Sequence, residues 1–386
     1  MASKKILFLN CTLGCGGIER SLCNILRYID FEKYSVDLYL DSTDGILLNQ
    51  VPKSVRIIVP NMDDCYGRVF TILIKLIKNR EFGRLWLRVI KKMVDCVGYS
   101  AYRLAQPLYW KYGKYDCVIA YKEGNITQFA MRAFRYSNIV GWWHRGVVSS
   151  DTSEYTKYLS LDKIVPVSEG AYRVMESMLH EVSHNSVIIN NMVDVMQIQE
   201  SANAIENPYQ KKKLHLVTVA RLSPEKHLDN IIPCAQKLID AKLDFQWHIV
   251  GGGLLLDQLH DLITSNQLES NIILEGEQEN PYPYIRYADL YVHTSYIESQ
   301  GLTILEAMAL GVPCVVTKSL GPCEFIQDGV NGILSEQSAE SLAEKVQEIL
   351  TDSELYHRIR KNTYCPEQFK PEKVIGEFEK LLEALI

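Results

Sequence analysis

Short apolar runs alternate with amphipathic stretches of about ten residues along most of the chain. Lys5 to Asn10, Val36 to Leu40, Val55 to Val59, Cys117 to Ala120, Ile139 to Trp143, Lys163 to Val167 and Ser186 to Ile189 read as strands. Ile18 to Tyr28, Thr127 to Arg135 and Glu169 to Leu179 read as the helices between them. A second series follows, with strands at Leu214 to Ala220, Phe245 to Val250, Ile272 to Leu274, Leu290 to His293 and Pro313 to Thr317. Strand and helix taking turns predict an α/β fold with doubly wound sheets.

The two series are separated by Gln197 to Lys213, which is rich in Asn, Glu and Lys and reads as a linker. This predicts a first Rossmann-like domain over 1–195, a linker over 196–213 and a second Rossmann-like domain over 214–365. The tail over 366–386 carries a helix from about Pro371 to Leu385. Its apolar face, Phe378, Leu381 and Leu382, packs either on its own domain or back on the first.

Bulk properties narrow the class. At 386 residues the chain suits two domains. A net charge of -6 gives no reason to expect nucleic acid. No apolar run has the length of a membrane span, and the basic start with its short apolar run is a first strand rather than a signal peptide. Ten cysteines at scattered spacings offer no zinc site and fit buried free thiols in a reducing cytosol. The expected location is therefore cytoplasmic.

Candidate chemistry concentrates after the strand Leu290 to His293. Glu298-Ser-Gln-Gly-Leu-Thr-Ile-Leu-Glu306 places one carboxylate in a loop and another on the helix that follows. Carboxylates only accept hydrogen bonds, which suits paired hydroxyls: Glu298 for a sugar, Glu306 for a ribose. Ser299 is expected to cap the helix, whose amide end favours phosphate, while Gly301 permits close approach. The alternative is a solvated Glu298 and a Glu306 that serves only as a cap or ion pair. Arg221 and Lys226 follow the strong strand Leu214 to Ala220 and suit a diphosphate, or else form a solvated pair.

Three further segments are less specific. Gly14, Gly16 and Gly17 follow the first strand in a phosphate-facing order, yet match neither the dinucleotide fingerprint nor a P-loop. Trp142-Trp-His-Arg-Gly146 ends a strand, so His144 either meets a transferred sugar or is structural. One of its two tryptophans is expected in the core and the other beside the cleft. From Lys75 to Lys92, seven basic residues are mixed with apolar ones against the single acid Glu81. That pattern fits an anionic membrane surface, or a surface helix packed on the core.

Taken together, these segments resemble glycosyltransferase family 4 over nearly the whole length. The resemblance is carried by Ala288 to Leu334 with its two glutamates, by Ala220-Arg-Leu-Ser-Pro-Glu-Lys226, by Gly16-Gly-Ile-Glu-Arg20 and by Asp328-Gly-Val-Asn-Gly332. It implies the GT-B fold: two facing Rossmann-like domains with a cleft between them, in a retaining enzyme of bacterial surface-polysaccharide type. It further implies a nucleotide diphosphate sugar as donor, with uridine as the first choice of base, and no metal. The acceptor is expected to be a lipid-linked or membrane-proximal glycan, placing the protein peripherally on the inner face of the membrane.

By the same resemblance Glu298, His144, Arg221 and Lys226 carry the transfer. Gly16, Gly17, Ser299, Gly301, Leu302 and Glu306 join Arg221, Lys226 and Glu298 in holding the donor. The chain departs from the family in having Ala220 where a glycine is usual, Cys15 in the glycine loop, and Ser319-Leu-Gly-Pro322 after the last signature strand. A sugar-nucleotide epimerase of the same fold and a non-catalytic sugar-nucleotide or glycan binder are the competing readings.

Overall fold

The computed structural model describes residues 3–14, 16–59, 114–134, 137–148, 155–179, 184–209 and 213–386. The basic run from Lys75 to Lys92 lies outside the described residues.

Among the described residues, the strands form two six-stranded parallel sheets. The first contains β1 (Lys4–Asn10), β2 (Tyr34–Leu40), β3 (Arg56–Ile58), β4 (Cys117–Ala120), β5 (Asn138–Trp143) and β6 (Lys163–Pro166), in the order β3-β2-β1-β4-β5-β6. The second contains β7 (Leu214–Val219), β8 (Phe245–Val250), β9 (Ile272–Gly276), β10 (Leu290–His293), β11 (Cys314–Thr317) and β12 (Ile333–Ser335), in the order β12-β11-β10-β7-β8-β9. Counted within each domain, the two orders are the same. Each sheet reverses its winding beside its own first strand, between β1 and β4 and between β7 and β10. Such a reversal opens a crevice at the carboxyl ends of the strands.

The described helices are α1 (Gly17–Tyr28), α2 (Asn125–Ala133), α3 (Glu169–Met178), α4 (Val195–Asn203), α5 (Ile231–Asp240), α6 (Leu256–Ser265), α7 (Tyr282–Arg286), α8 (Leu302–Ala309), α9 (Ala339–Thr351), α10 (Ser353–Asn362) and α11 (Pro371–Leu385). The period of two along a strand decides which layer each residue joins. Leu216, Val292 and Val315 pack into one apolar cluster of the second sheet, with α5 and α9. Their neighbours Val217, Tyr291 and Val316 enter the cluster on the other face, with α8.

Several local expectations are corrected. The stretch read as a linker is helical at its start, because the Asp194 side chain caps α4 by accepting from the Gln197 amide. Ile198 and Ala202 of that helix then pack into the second domain's core. Ser186 to Ile189 makes one isolated bridge, Ile164 to Ser186, rather than a strand. Trp142 and Trp143 are both fully buried. Trp142 stacks on Tyr121 at 5.0 Å, and Trp143 meets Tyr155 and Tyr158 edge-on, so aromatic neighbours fill both faces of the strand. Helix α11 contributes Val374, Phe378, Leu381 and Leu382 to the core of the first domain.

Candidate active site

The carboxyl ends of β7 and β10 bring three side chains together. Lys226 ends a short 3-10 turn, Pro224–Lys226, after β7. The Thr294 hydroxyl pins that turn by donating to the Lys226 carbonyl at 2.7 Å. His293 is the last residue of β10, and Glu298 lies in the loop beyond it. The Lys226 ammonium donates to Glu298 Oε1, and His293 Nε2 lies 3.0 Å from the same oxygen. Burial alone would push the Glu298 carboxyl up, but the Lys226 charge and the His293 contact hold it well below the usual carboxylate range.

The loop carrying Glu298 is fixed by backbone contacts from both domains. The Gly321 amide donates to the Glu298 carbonyl at 3.0 Å. A Cβ on Gly321 would come within 2.5 Å of the Gln300 backbone, and one on Gly146 within 2.9 Å of the Ser299 amide. Gly301 then turns the chain into α8 with φ at 84°, a region that glycine alone adopts freely. Ser299 is therefore not the helix cap: Gly301 holds the cap position, and no side chain caps the helix. The Ser299 carbonyl instead accepts from Ser168 of the first domain.

Glu306 sits one turn into α8, a helix whose other buried residues are Ile304, Leu305, Ala307, Met308 and Ala309. Burial raises its pKa, opposed by the Arg20 charge and the Tyr282 hydroxyl. That hydroxyl donates to Glu306 Oε1 at 3.2 Å and accepts from Arg20 of α1 at 2.8 Å. Arg20 thus reaches the second domain from the glycine-led helix of the first. Gly17 comes close as well, since a Cβ there would meet Leu302 at 3.2 Å. A polar recess between the domains is lined by Arg20, Asn24, Asp194, Tyr282, Leu302 and Glu306.

The remaining candidates are placed as follows. Arg221 is exposed and paired with Glu225 at 3.0 Å, apart from the Lys226–Glu298 contact. Gly16 lies over Glu19, whose carboxylate a Cβ would strike. His144 is buried at the end of β5, with Nε2 3.0 Å from the Tyr121 carbonyl and its amide donating to Glu123. Burial pushes the His144 pKa down to about 3. Among the described residues, no group of three or more His, Cys, Asp or Glu could hold a metal ion, and no helix is long and apolar enough to cross a membrane.

Sequence reasoning assigned no role to His293, Arg20, Tyr282 or Gln300. The strand's parity carried a signal for His293, because it shares a face with Tyr291 and so with α8. Gln300 accepts from the Asn191 amide at 2.9 Å and donates back to its carbonyl at 3.2 Å. Glu324 accepts from the Gly170 amide at 2.5 Å and the Glu169 amide at 3.2 Å, at the amino end of α3. Both pairs join the two domains, and nothing local in the sequence announces a partner so far along the chain.

The two sheets, their winding and the cleft between them define the GT-B fold. The crystal structure of Anabaena HepE in complex with UDP and glucose aligns over 99% of this chain and 100% of its own, with TM-score 0.74 and 19% identity. Residues 199–365 match the family described as glycosyl transferases group 1. N-acetyl-alpha-D-glucosaminyl L-malate synthase of Bacillus anthracis is 30% identical over 171 residues, 43% of this chain and 44% of that protein. Poly(ribitol-phosphate) alpha-N-acetylglucosaminyltransferase of Staphylococcus aureus is 26% identical over 206 residues, 52% of this chain and 41% of that protein. These alignments span less than half the length of both curated relatives.

Proposed function

We propose that the protein is a retaining glycosyltransferase, moving a hexose or N-acetylhexosamine from a uridine diphosphate sugar to a lipid-linked or membrane-proximal glycan. The single observation that carries the reading is the buried Lys226–Glu298–His293 cluster at the winding reversal of the second sheet, facing the first domain. The names of the curated relatives, two of which transfer or attach N-acetylglucosamine, and the UDP and glucose bound to HepE support the donor class.

In this reading Glu306 takes the ribose hydroxyls and Glu298 the hydroxyls of the donor sugar. Lys226 and a reoriented Arg221 meet the diphosphate at the amino end of α8. The acceptor oxygen bonds to the anomeric carbon as the bond from that carbon to the diphosphate breaks. The acceptor's proton passes to a phosphate oxygen on the same face. Lys226 and Arg221 stabilise the negative charge left on the nucleoside diphosphate. Glu298 orients the sugar and forms no covalent bond to it, and His144 is assigned to the donor sugar from the side of the first domain. The basic, apolar run from Lys75 to Lys92 supplies the membrane contact.

A thermal-shift screen with nucleoside diphosphates and their sugars tests the donor assignment. A hundredfold excess of ligand over its Kd should add about 2.7 kcal/mol of stability. Glu306→Ala should weaken nucleotide binding roughly 10- to 100-fold, the worth of one or two hydrogen bonds to a charged group. Absence of stabilisation by every nucleotide would end the reading. Isomerised sugar nucleotide formed without acceptor would point to an epimerase. Binding without transfer across a broad acceptor panel would point to a non-catalytic binder.

A further inference from the structure

His293 is more constrained than any other partner of Glu298. Its backbone is the last rung of β10, in register with Val316 of β11, and its carbonyl accepts from the Thr317 hydroxyl at 2.9 Å. Its residue surface is 1% exposed, and the Tyr291 ring lies 6.3 Å away at 19°, close to parallel. Among the described residues, buried Nδ1 has no hydrogen-bond partner, so the ring's one polar contact there is Nε2 to Glu298 Oε1. A bond to a carboxylate sets the tautomer: Nε2 carries the proton and donates. Lys226 differs in kind. It is a point charge on a four-carbon stem, and it supplies attraction without fixing an angle.

Both contacts fall on Oε1. Among the described residues, no recorded hydrogen bond falls on Oε2. A diphosphate in the cleft would compete for the Lys226 ammonium, and His293 would then be the partner that still holds Glu298.

We propose that His293 is a positioning residue: its Nε2–H fixes the Glu298 carboxylate so that Oε2 reads one ring hydroxyl of the donor sugar, and it thereby sets which hydroxyl epimer the site accepts. This rests on the reading of Glu298 as the sugar-contacting carboxylate. A hydrogen bond made to one epimer and missing for the other is a strong discriminator, because a buried charged acceptor left unpaired is costly.

The test is calorimetric binding of UDP, of UDP-glucose against UDP-galactose, and of UDP-N-acetylglucosamine against UDP-N-acetylgalactosamine, to the full chain and three variants. His293→Gln keeps an N–H near the ε position, His293→Asn offers one only at the δ position, and His293→Leu offers none. The unchanged protein should prefer one member of an epimer pair at least tenfold. His293→Leu and His293→Asn should lose at least fivefold of that preference, with the Kd for UDP itself changed less than threefold, and His293→Gln should restore it. If His293→Leu fails to fold, the Gln and Asn pair decides the outcome. Equal epimer binding by the unchanged protein, or a preference surviving in the Asn variant, overturns the inference. Loss of preference in the Gln and Asn variants alike also overturns it, since the effect would then be one of packing. Failure of the unchanged protein to bind UDP or any of the four sugars would instead sink the functional reading beneath it.

Discussion

At the scale of single residues, the Lys226–Glu298 pair sets the energetics of the cleft. Their side chains are only 19% and 13% exposed, so each charge depends on the other. Lys226→Ala should destabilise the protein by about 3–5 kcal/mol, the cost of stranding a buried charge. Lys226→Met combined with Glu298→Gln should cost less than the sum of the two single changes, as urea unfolding would measure. The pH dependence has a definite sign. Folding lowers the Glu298 pKa from its ordinary 4.5, so the pair's contribution is complete above that value and is lost as pH falls below it. Glu298→Gln should remove this acid-side component. His144 acts in the same pH direction for a different reason. Its folded pKa of about 3 lies below the ordinary 6.5, so the unfolded chain binds the extra proton between those values, and stability rises with pH there. Denaturant unfolding of His144→Asn at pH 4.5 and 7 should show a slope shallower by up to about 1.4 kcal/mol per pH unit.

At the scale of elements, periodicity made most strands and helices legible, because a buried parallel sheet needs apolar runs and its crossovers need one apolar face. Leu290 to His293 and Phe245 to Val250 occur as strands at the limits expected. Where local chemistry competed with composition, the expectation failed. The first residues of the polar stretch, within Val195–Asn203, are helical because a capping carboxylate and two buried side chains outweigh their polar average. The expected serine cap of α8 gives way to a glycine turn, because close backbone approach from Gly146 and Gly321 leaves the loop no other course. Helix α11 shows how an element can serve a domain remote from it in sequence. Phe378 meets Phe8 at 6.0 Å and Trp142 at 5.9 Å, deep in the first domain. Phe378→Ala should cost about 3–5 kcal/mol. Hydrogen exchange should locate the loss in β1 and β4 more than in β7 and β10.

At the scale of the whole molecule, the domains are joined by polar contacts that also border the cleft. Glu324 of the second domain meets two amides at the start of α3, where the helix dipole favours a carboxylate. Arg20, Tyr282 and Glu306 form a second bridge and Gln300 with Asn191 a third. Glu324→Ala should loosen closure: small-angle scattering should show a larger radius of gyration without ligand, shrinking when UDP is added. An unchanged radius would mean that the remaining contacts between the domains suffice, the Ser168–Ser299 and Asn49–Glu279 hydrogen bonds among them. By itself the sequence determined the α/β alternation, the two series of strands, and the glutamates, lysine and arginine placed after particular strands, because periodicity and spacing act over a few residues. Only the tertiary structure decided that Lys226, His293 and Glu298 share one oxygen, that Arg221 turns to Glu225, and that Arg20 reaches Tyr282 in the other domain. Those pairings depend on where two strand ends and two domains meet in space, and that geometry is set by the packing of the whole chain.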